Sequence, residues 1–165
     1  MIGMDGFIGR NLCRHLPDAL KTTRKNAAME CAHYLDLLKP SSLPGADIAY
    51  LCAGVNGTMT CSDNPRQTWR VNVDGPIWIA DQCRERGMFL VWIGSTTAQW
   101  LTEHYGEQKR MAELYLRTMP NVAIVRAGRV LQSNVDSLCH LMTSMGRAKK
   151  RGLEIWNADE QPYQK

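Results

Sequence analysis

The amino-acid sequence predicts an α/β fold: a doubly wound parallel sheet with helices on both faces. Three observations indicate it. A turn with glycines three residues apart opens the chain at residues 3–9, three apolar runs of strand length follow, and segments of helical length separate them. Buried parallel strands are typically continuous apolar runs, and their alternation with helices is typical of a parallel sheet. Ligands of such folds bind at the carboxyl ends of the strands, so we expect the functional residues in the loops there.

The first half of the chain supplies a helix and two strands. The segment "FIGRNLCRHLPDAL" begins inside the glycine turn and places Ile8, Leu12 and Leu16 four residues apart, so we expect a helix there. "LKTTRK" is a short candidate strand, and "ADIAYLCAG" at 46–54 is an apolar run that predicts a buried parallel strand. Because only two residues precede the turn, the first strand of the sheet is predicted to be largely missing.

The second half of the chain alternates helices with strands. Helices are predicted at 65–87, 105–119 and 137–152, and strands at 88–94 and 122–128. Gly87 closes the first of these helices, and Arg84 and Arg86 lie near the negative end of its dipole. The carboxyl-end segments in which to look for function are therefore 3–9, 52–57, 94–97 and 127–131.

Composition excludes several classes of protein. The chain has 165 residues, enough for one domain, and no apolar run approaches the roughly 20 residues that span a bilayer, so we expect no membrane association. No leader peptide is visible, which predicts a cytoplasmic protein. The six cysteines form no C-x-x-C pair and the four histidines show no ligand spacing, which favours reduced thiols and no metal site. The basic residues are spread along the chain apart from "RAKKR" at 147–151, either a solvated helix end or a phosphate-binding patch, and we predict no nucleic-acid partner.

The glycine turn has a chemistry of its own. Gly3, Gly6 and Gly9 allow a sharp turn, the approach of a pyrophosphate to backbone amides, and close packing of the helix on the sheet. The helix N-terminus adds partial positive charge. For an isolated motif the alternative is a glycine-rich turn without a ligand, but a turn at the start of a βα alternation favours a dinucleotide site.

The same stretch carries a family resemblance. "GMDGFIGRNLCRHL" resembles the opening of the extended short-chain dehydrogenase/reductase family, which reads T-G-x-x-G-F-I-G-x-x-L-x-x-x-L. Further matches follow in the family's order: "LDLLKPSSLPGADIAYLCAG", "NPRQTWRVNVDGPIWIADQCRERG", "VWIGSTTAQW", "YGEQKRMAE" and "VAIVRAGRVL". Together they cover residues 3 to about 132. The resemblance implies a Rossmann-like fold and an NAD(P)-dependent oxidoreductase, epimerase or dehydratase that acts on a nucleotide-sugar or a similar small hydroxyl compound.

The resemblance also implies which residues hold the cofactor. They are Gly3, Gly6, Phe7, Ile8, Gly9, Arg24, Asp36, Leu37, Cys52, Ala53, Gly54, Asn72 and Lys109. Asp36 would contact the adenine, and Asn72 would support the helix and strand near the site. After the second strand an acidic residue suits NAD and an arginine suits NADP. Here Arg24 and Lys25 are present without a carboxylate, which favours NADP, with a solvated basic loop as the alternative.

A tyrosine and a lysine supply the candidate catalytic pair. Tyr105 and Lys109 are four residues apart and therefore lie on one face of the predicted helix. A neighbouring ammonium lowers the pKa of a phenol, which suits it to exchange a proton with a hydroxyl that becomes a carbonyl. An exposed helix turn is the alternative. By the family pattern Ser95 orients the substrate, with Thr96 and Thr97 as substitutes if the register differs by one residue, and Lys109 also holds the ribose.

The chain departs from the family pattern in several places. Nine residues separate Ser95 from Tyr105, where relatives have a longer loop; Gln99 and Trp100 replace the usual Tyr-Gly, and "RAGRVLQ" lacks the family's proline, asparagine and tyrosine. We interpret 1–165 as one dinucleotide-binding domain that is a fragment of a longer enzyme or a misassigned reading frame. In this interpretation 1–132 is the family core, and 133–165 begins a region that leads to an absent C-terminal substrate domain.

Two further expectations concern function and assembly. The alternative to an enzyme is a non-catalytic dinucleotide-binding protein, a sensor or scaffold that keeps the glycine turn. Relatives often form homodimers through helices equivalent to those that contain Trp78 and Tyr105, and Trp78 is otherwise a core residue.

Overall fold

The computed structural model describes residues 1–24, 32–39, 41–99 and 103–150, without the side chains of 148–150. The strands in these ranges are β1 (Thr22–Thr23), β2 (His33–Tyr34), β3 (Ile48–Leu51), β4 (Phe89–Ser95) and β5 (Val122–Ala127). The α-helices are α1 (Phe7–His15), α2 (Thr58–Asp63), α3 (Pro65–Trp69), α4 (Gly75–Glu85), α5 (His104–Leu116) and α6 (Val135–Lys150). A π-helical turn at Arg70–Asp74 joins α3 to α4, and a 3₁₀ turn at Thr96–Gln99 follows β4.

The strands form a parallel sheet that is wound outward from the glycine turn. β1 pairs with β2, and β4 pairs with both β3 and β5, always in parallel. Ile2 lies between β1 and β3, with parallel bridges to Thr22 and Leu51. The order across the sheet is therefore β2, β1, Ile2, β3, β4, β5. This confirms the predicted doubly wound fold, in which Ile2 alone, among the described residues, represents the first strand.

The sheet is covered on both faces because alternate side chains of its strands point to opposite sides. All seven residues of β4 are buried. Leu90 and Trp92 pack in a cluster with side chains of α4 and α5. Phe89, Val91 and Ile93 pack in a second cluster with side chains of α1 and α6. The two helical layers therefore hold the carboxyl end of β4 from both sides.

Two features of the chain were not predicted. β2 consists of two exposed residues, so it shows neither an apolar run nor an alternation. The predicted helix at 65–87 is helical from Pro65 to Glu85, but its middle turn is π-helical, with the Gly75 N–H donating to the Arg70 carbonyl. Pro76 explains this π-helical turn, because its nitrogen carries no hydrogen and cannot donate to the carbonyl four residues earlier, as an α-helix would require. Gly87 follows the helix with a φ of 66°, as predicted for its terminal glycine.

No helix within the described ranges combines the length and the apolar composition needed to cross a membrane.

Candidate functional site

The glycine turn follows Ile2 and lies against the loop after β3. Gly3 has a φ of 82°, and a Cβ there would lie 2.7 Å from the backbone nitrogen of Ala53. A Cβ on Gly9 would overlap the carbonyl oxygen of Gly3. The nearest atom to a Cβ on Gly6 would be the same carbonyl oxygen, at 3.5 Å. The fold itself therefore requires glycine at positions 3 and 9, whereas position 6 keeps space beside the turn.

The N-terminus of α1 faces this space. Its N-cap is Gly6, and no side chain caps the helix there. The first backbone N–H groups of a helix have no partner within the helix and carry partial positive charge, so they suit an anion. Phe7 is exposed at the start of α1, while the half-buried Ile8 packs against the cluster under the sheet.

The ends of β1 and β2 lie beside the glycine turn. The N–H groups of Gly3 and Met4 donate to the carbonyl of Thr22, at 3.2 and 3.1 Å, which brings the end of β1 next to the turn. Arg24 follows β1 and is exposed, whereas Lys25 lies outside the described residues. Asp36 follows β2, and its Oδ1 accepts a hydrogen bond from the Leu38 N–H at 2.9 Å.

Leu37 plays a structural part in this arrangement. Leu37 is buried, and a Cβ added to Gly75 would lie 3.0 Å from the Cβ of Leu37. The segment after β2 therefore packs directly on the start of α4, which holds Asp36 at the carboxyl edge of the sheet.

The loop 52–57 after β3 contacts both the glycine turn and α5. The Cys52 N–H donates to the Ile2 carbonyl at 2.9 Å. Burial raises the pKa of the Cys52 thiol to about 12, so this cysteine stays protonated at neutral pH. A Cβ on Gly54 would lie 3.3 Å from Oδ1 of Asn72 and 3.8 Å from Nζ of Lys109. Gly54 therefore marks a point where the loop, the π-helical turn and α5 meet.

Lys109 is an almost fully buried ammonium. Its Nζ donates to the Ile93 carbonyl at 3.2 Å and lies 5.0 Å from the centroid of the Trp92 ring. The same atom is 5.9 Å from the centroid of the Tyr105 ring. Burial lowers the pKa of Lys109 to about 8. The carbonyl dipole and the aromatic face partly replace the water that the ammonium has lost.

Tyr105 lies at the first turn of α5, beside the end of β4. Its hydroxyl donates to Oδ1 of Asn56 at 3.4 Å, and the Ser95 side chain lies close enough to influence its pKa. Burial raises the pKa of Tyr105, and the neighbouring Ser95 side chain lowers it by a smaller amount. The sequence predicted a lowered pKa from Lys109, and in this structure the direction is the opposite, because desolvation of the phenolate dominates.

The hydroxyl residues after β4 form a small network. Oγ of Ser95 lies 2.8 Å from Oγ1 of Thr97 and accepts a hydrogen bond from the Thr97 N–H at 3.2 Å. Ser95 is the hydroxyl of this network that lowers the pKa of Tyr105. The structure thus brings Ser95, Tyr105, Lys109 and Gly54 together, while Arg24 and Asp36 lie further along the same edge of the sheet.

Sequence reasoning missed two polar residues of this site. Asn56 lies within the segment 52–57 that the strand pattern indicated, so its polar amide in that segment could have identified it as a site residue. Gln108, which is 1% exposed and bonded to Asn72, gave no signal, because a glutamine on a helix is ordinarily a surface residue. Among the residues that the structure describes, no group of three or more His, Cys, Asp or Glu side chains could hold a metal ion.

Comparison with known families identifies the fold family. The NAD dependent epimerase/dehydratase family matches residues 1–123. The chain belongs to this family. The match begins at the glycine turn and includes α5 with Tyr105 and Lys109, so it covers the edge of the sheet described above.

Solved structures of similar fold give the same result. RMD from Pseudomonas aeruginosa, complexed with NADPH, is 19% identical with a TM-score of 0.57, over 77% of this chain and 52% of RMD. MoeE5, in complex with UDP-glucose and NAD, is 18% identical with a TM-score of 0.62, over 77% of this chain and 51% of MoeE5. A dTDP-4-dehydrorhamnose reductase from Clostridium acetobutylicum is 14% identical with a TM-score of 0.63, over 93% of this chain and 70% of the reductase.

These similarities show the fold. The chain spans about half the length of RMD and MoeE5. Comparison with curated protein sequences gave no match.

Proposed function

We propose that this chain binds NAD or NADP along the carboxyl edge of its sheet and uses Tyr105 to exchange a proton with a nucleotide-linked sugar. One observation carries the proposal: Tyr105, Ser95 and Lys109 converge beside Gly54, on the edge that begins with the glycine turn. Membership of an NAD dependent family supports the cofactor class.

The residues at this edge fit a dinucleotide. The space at Gly6 and the uncapped N-terminus of α1 would take the pyrophosphate, since backbone N–H groups and the helix dipole both favour an anion. Asp36, held at the end of β2, would accept a hydrogen bond from the adenine. Ala53 and Gly54 would border the ribose next to Lys109.

Arg24 favours NADP over NAD. It is exposed at the end of β1, and the segment 22–24 carries no carboxylate that would bind the ribose hydroxyls of NAD. A guanidinium at this position suits the additional phosphate of NADP, because arginine recognises phosphates through paired N–H donors.

Three side chains would then carry the chemistry. The Tyr105 hydroxyl gives a proton to a carbonyl oxygen during reduction, or takes one from a hydroxyl during oxidation. Ser95 donates a hydrogen bond that orients the same substrate oxygen. In the occupied site Lys109 would hold the ribose and stabilise the Tyr105 anion. The nicotinamide, when bound, would supply or accept the hydride. Oxidation, epimerisation and dehydration all use this acid–base pair.

A nucleotide-sugar is the substrate class that the structural relatives favour. MoeE5 binds UDP-glucose, and the Clostridium acetobutylicum protein is a dTDP-4-dehydrorhamnose reductase. We propose the same class for this chain.

Replacement of Tyr105 by phenylalanine tests the catalytic role. We expect turnover on a panel of nucleotide-sugars to fall by about 100-fold or more, while the dissociation constant for NADPH changes less than about threefold. Tyr115→Phe is the matched control, because Tyr115 lies on the same helix and its hydroxyl donates to Asp81, away from the site. The control is expected to keep both values.

A non-catalytic dinucleotide-binding protein is the second candidate. The raised pKa of Tyr105 favours it, because a phenol that resists ionisation is a poor base. Saturable NADPH binding without turnover on the panel would support this candidate. Equal turnover by the wild type and Tyr105→Phe would contradict the catalytic assignment.

A further inference from the structure

We propose that Gln108 is a positioning residue: through the side chain of Asn72 it fixes the loop 52–57 against α5. It thereby sets the distance between this loop and the side chains of Tyr105 and Lys109. The effect on ligand binding rests on the proposed function, whereas the effect on the loop does not.

The amide of Gln108 has one fixed orientation. Its Oε1 accepts a hydrogen bond from Nδ2 of Asn72 at 2.8 Å, and its Nε2 donates to Oγ1 of Thr68 at 2.9 Å. The single hydroxyl hydrogen of Thr68 has the carbonyls of Asn64 at 2.9 Å and Pro65 at 3.2 Å as acceptors, so Oγ1 accepts from Gln108. A reversed amide would place its NH₂ group against the NH₂ group of Asn72. Thr68 therefore determines which end of Gln108 faces Asn72.

Asn72 transmits this orientation to the loop. Its Oδ1 accepts from the Val55 N–H at 2.8 Å, and its Nδ2 donates to the Val55 carbonyl at 2.9 Å. The side chain thus satisfies both backbone groups of Val55, as a neighbouring strand would. A flipped Asn72 would lose both bonds and direct its oxygen at Oε1 of Gln108. Gln108 therefore stabilises the only orientation that holds Val55.

Val55 lies between the two loop residues that contact the candidate site. Gly54 approaches Nζ of Lys109, and Asn56 accepts the hydrogen bond of the Tyr105 hydroxyl. Because Gln108 belongs to the same helix as Tyr105 and Lys109, one network ties the helix and the loop together. Loss of the network would let the loop move away from both side chains.

Two measurements on Gln108→Met test the proposal. The first is amide hydrogen exchange, followed by NMR in the ligand-free protein. The second is the dissociation constant for NADPH, measured by its fluorescence. We expect Val55 to exchange about fivefold to tenfold faster than in the wild type, and NADPH to bind about fivefold to tenfold more weakly, as for loss of one hydrogen bond. The amide of Val91, in the fully buried central strand β4, exchanges through global unfolding and therefore reports any accompanying loss of overall stability.

The matched control is Gln82→Met on α4, where the glutamine amide donates to Glu85 on the surface. It is expected to change neither measurement. A role in general stability alone would leave the dissociation constant for NADPH unchanged, which would overturn the proposal. Unchanged exchange at Val55 in folded Gln108→Met would overturn it as well.

A second variant covers the case in which Gln108→Met does not fold. Thr68→Val removes the nearer partner of Nε2, leaves the Pro65 carbonyl at 3.5 Å and keeps the volume of the side chain, so we expect about threefold faster exchange at Val55. No change at Val55 would overturn the proposal. If the wild type binds no NADPH, the proposed function fails, and the exchange rates still decide whether Gln108 holds the loop.

Discussion

Lys109 lies in surroundings unlike those of a surface lysine. Its side chain is 5% exposed, with the Ile93 carbonyl as hydrogen-bond acceptor and the Trp92 ring below the ammonium. The folded protein therefore holds a positive charge at a cost in stability. Such a cost is typical of functional residues, which are selected for activity and not for stability.

The pH dependence of stability reports this cost. The pKa of Lys109 is lowered from 10.5 to about 8, so the penalty for the charged form is fully present below pH 8 and is released as pH rises toward 10.5. Between about pH 7 and about pH 10 the free energy of unfolding of the wild type should rise by about 2 kcal/mol relative to Lys109→Met. Urea denaturation of both proteins at the two pH values measures the difference, in which groups common to both proteins cancel. Parallel pH profiles would contradict a buried ammonium.

At the residue level the sequence predicted the groups that carry a recognisable spacing. The interval of four between Tyr105 and Lys109 and the place of Ser95 at a strand end put the three side chains together, as the structure does. The raised pKa of Tyr105 could not be predicted, because it depends on how far the folded chain buries the phenol. Gln108 could not be predicted either, since its partners come from α3 and the π-helical turn.

Among the elements, α5 connects the candidate site to the sheet. Tyr105, Lys109 and Glu113 follow one another at intervals of four and therefore share one face of this helix. Glu113 is buried and accepts two hydrogen bonds from Arg126 of β5, one of them from Nε at 3.0 Å. This paired contact fixes the rotation of α5 relative to the sheet.

Removal of one member of this ion pair is expected to destabilise the protein. In Arg126→Met the Glu113 carboxylate keeps only Arg117, at 3.8 Å, as a described cationic neighbour, so we expect a loss of about 3 kcal/mol in the free energy of unfolding. The double variant Glu113→Leu/Arg126→Met removes both charges and should recover most of that loss. Chemical denaturation of the three proteins measures it. Equal stability of the single variant and the wild type would show that the pair does not stabilise the packing of α5.

The helices and strands could be predicted where an element is buried on one face or on all sides. β3, β4 and β5 are apolar runs, and α1, α4, α5 and α6 show helical length or spacing, so they were predicted close to their observed positions. β2 was not, because its pairing with β1 is a backbone interaction between exposed residues. The π-helical turn was not predicted, although the proline that follows it explains why the α-helical hydrogen bonds are interrupted there.

On the scale of the whole molecule, strand order places the separate motifs on one edge. The glycine turn, Asp36, the loop 52–57 and Ser95 are distant in sequence, and the order β2, β1, Ile2, β3, β4 makes them neighbours in space. The alternation of strands and helices predicted that the loops after the strands share one edge of the sheet, whereas the strand order was not predicted. The division of the chain near residue 132, the homodimer and the cytoplasmic location stay predictions.

The central claim is that this edge binds a nicotinamide dinucleotide, and titration of NADPH fluorescence against wild type, Gly6→Val and Gly45→Val tests it most directly. The folded chain has room for a Cβ at both positions, since the nearest atom would lie at 3.5 Å for Gly6 and beyond 4 Å for Gly45. We expect saturable binding by the wild type and by Gly45→Val, and binding at least about tenfold weaker by Gly6→Val, whose side chain would fill the space for the pyrophosphate. Wild-type affinity in Gly6→Val, or no saturable binding by the wild type, would contradict the claim.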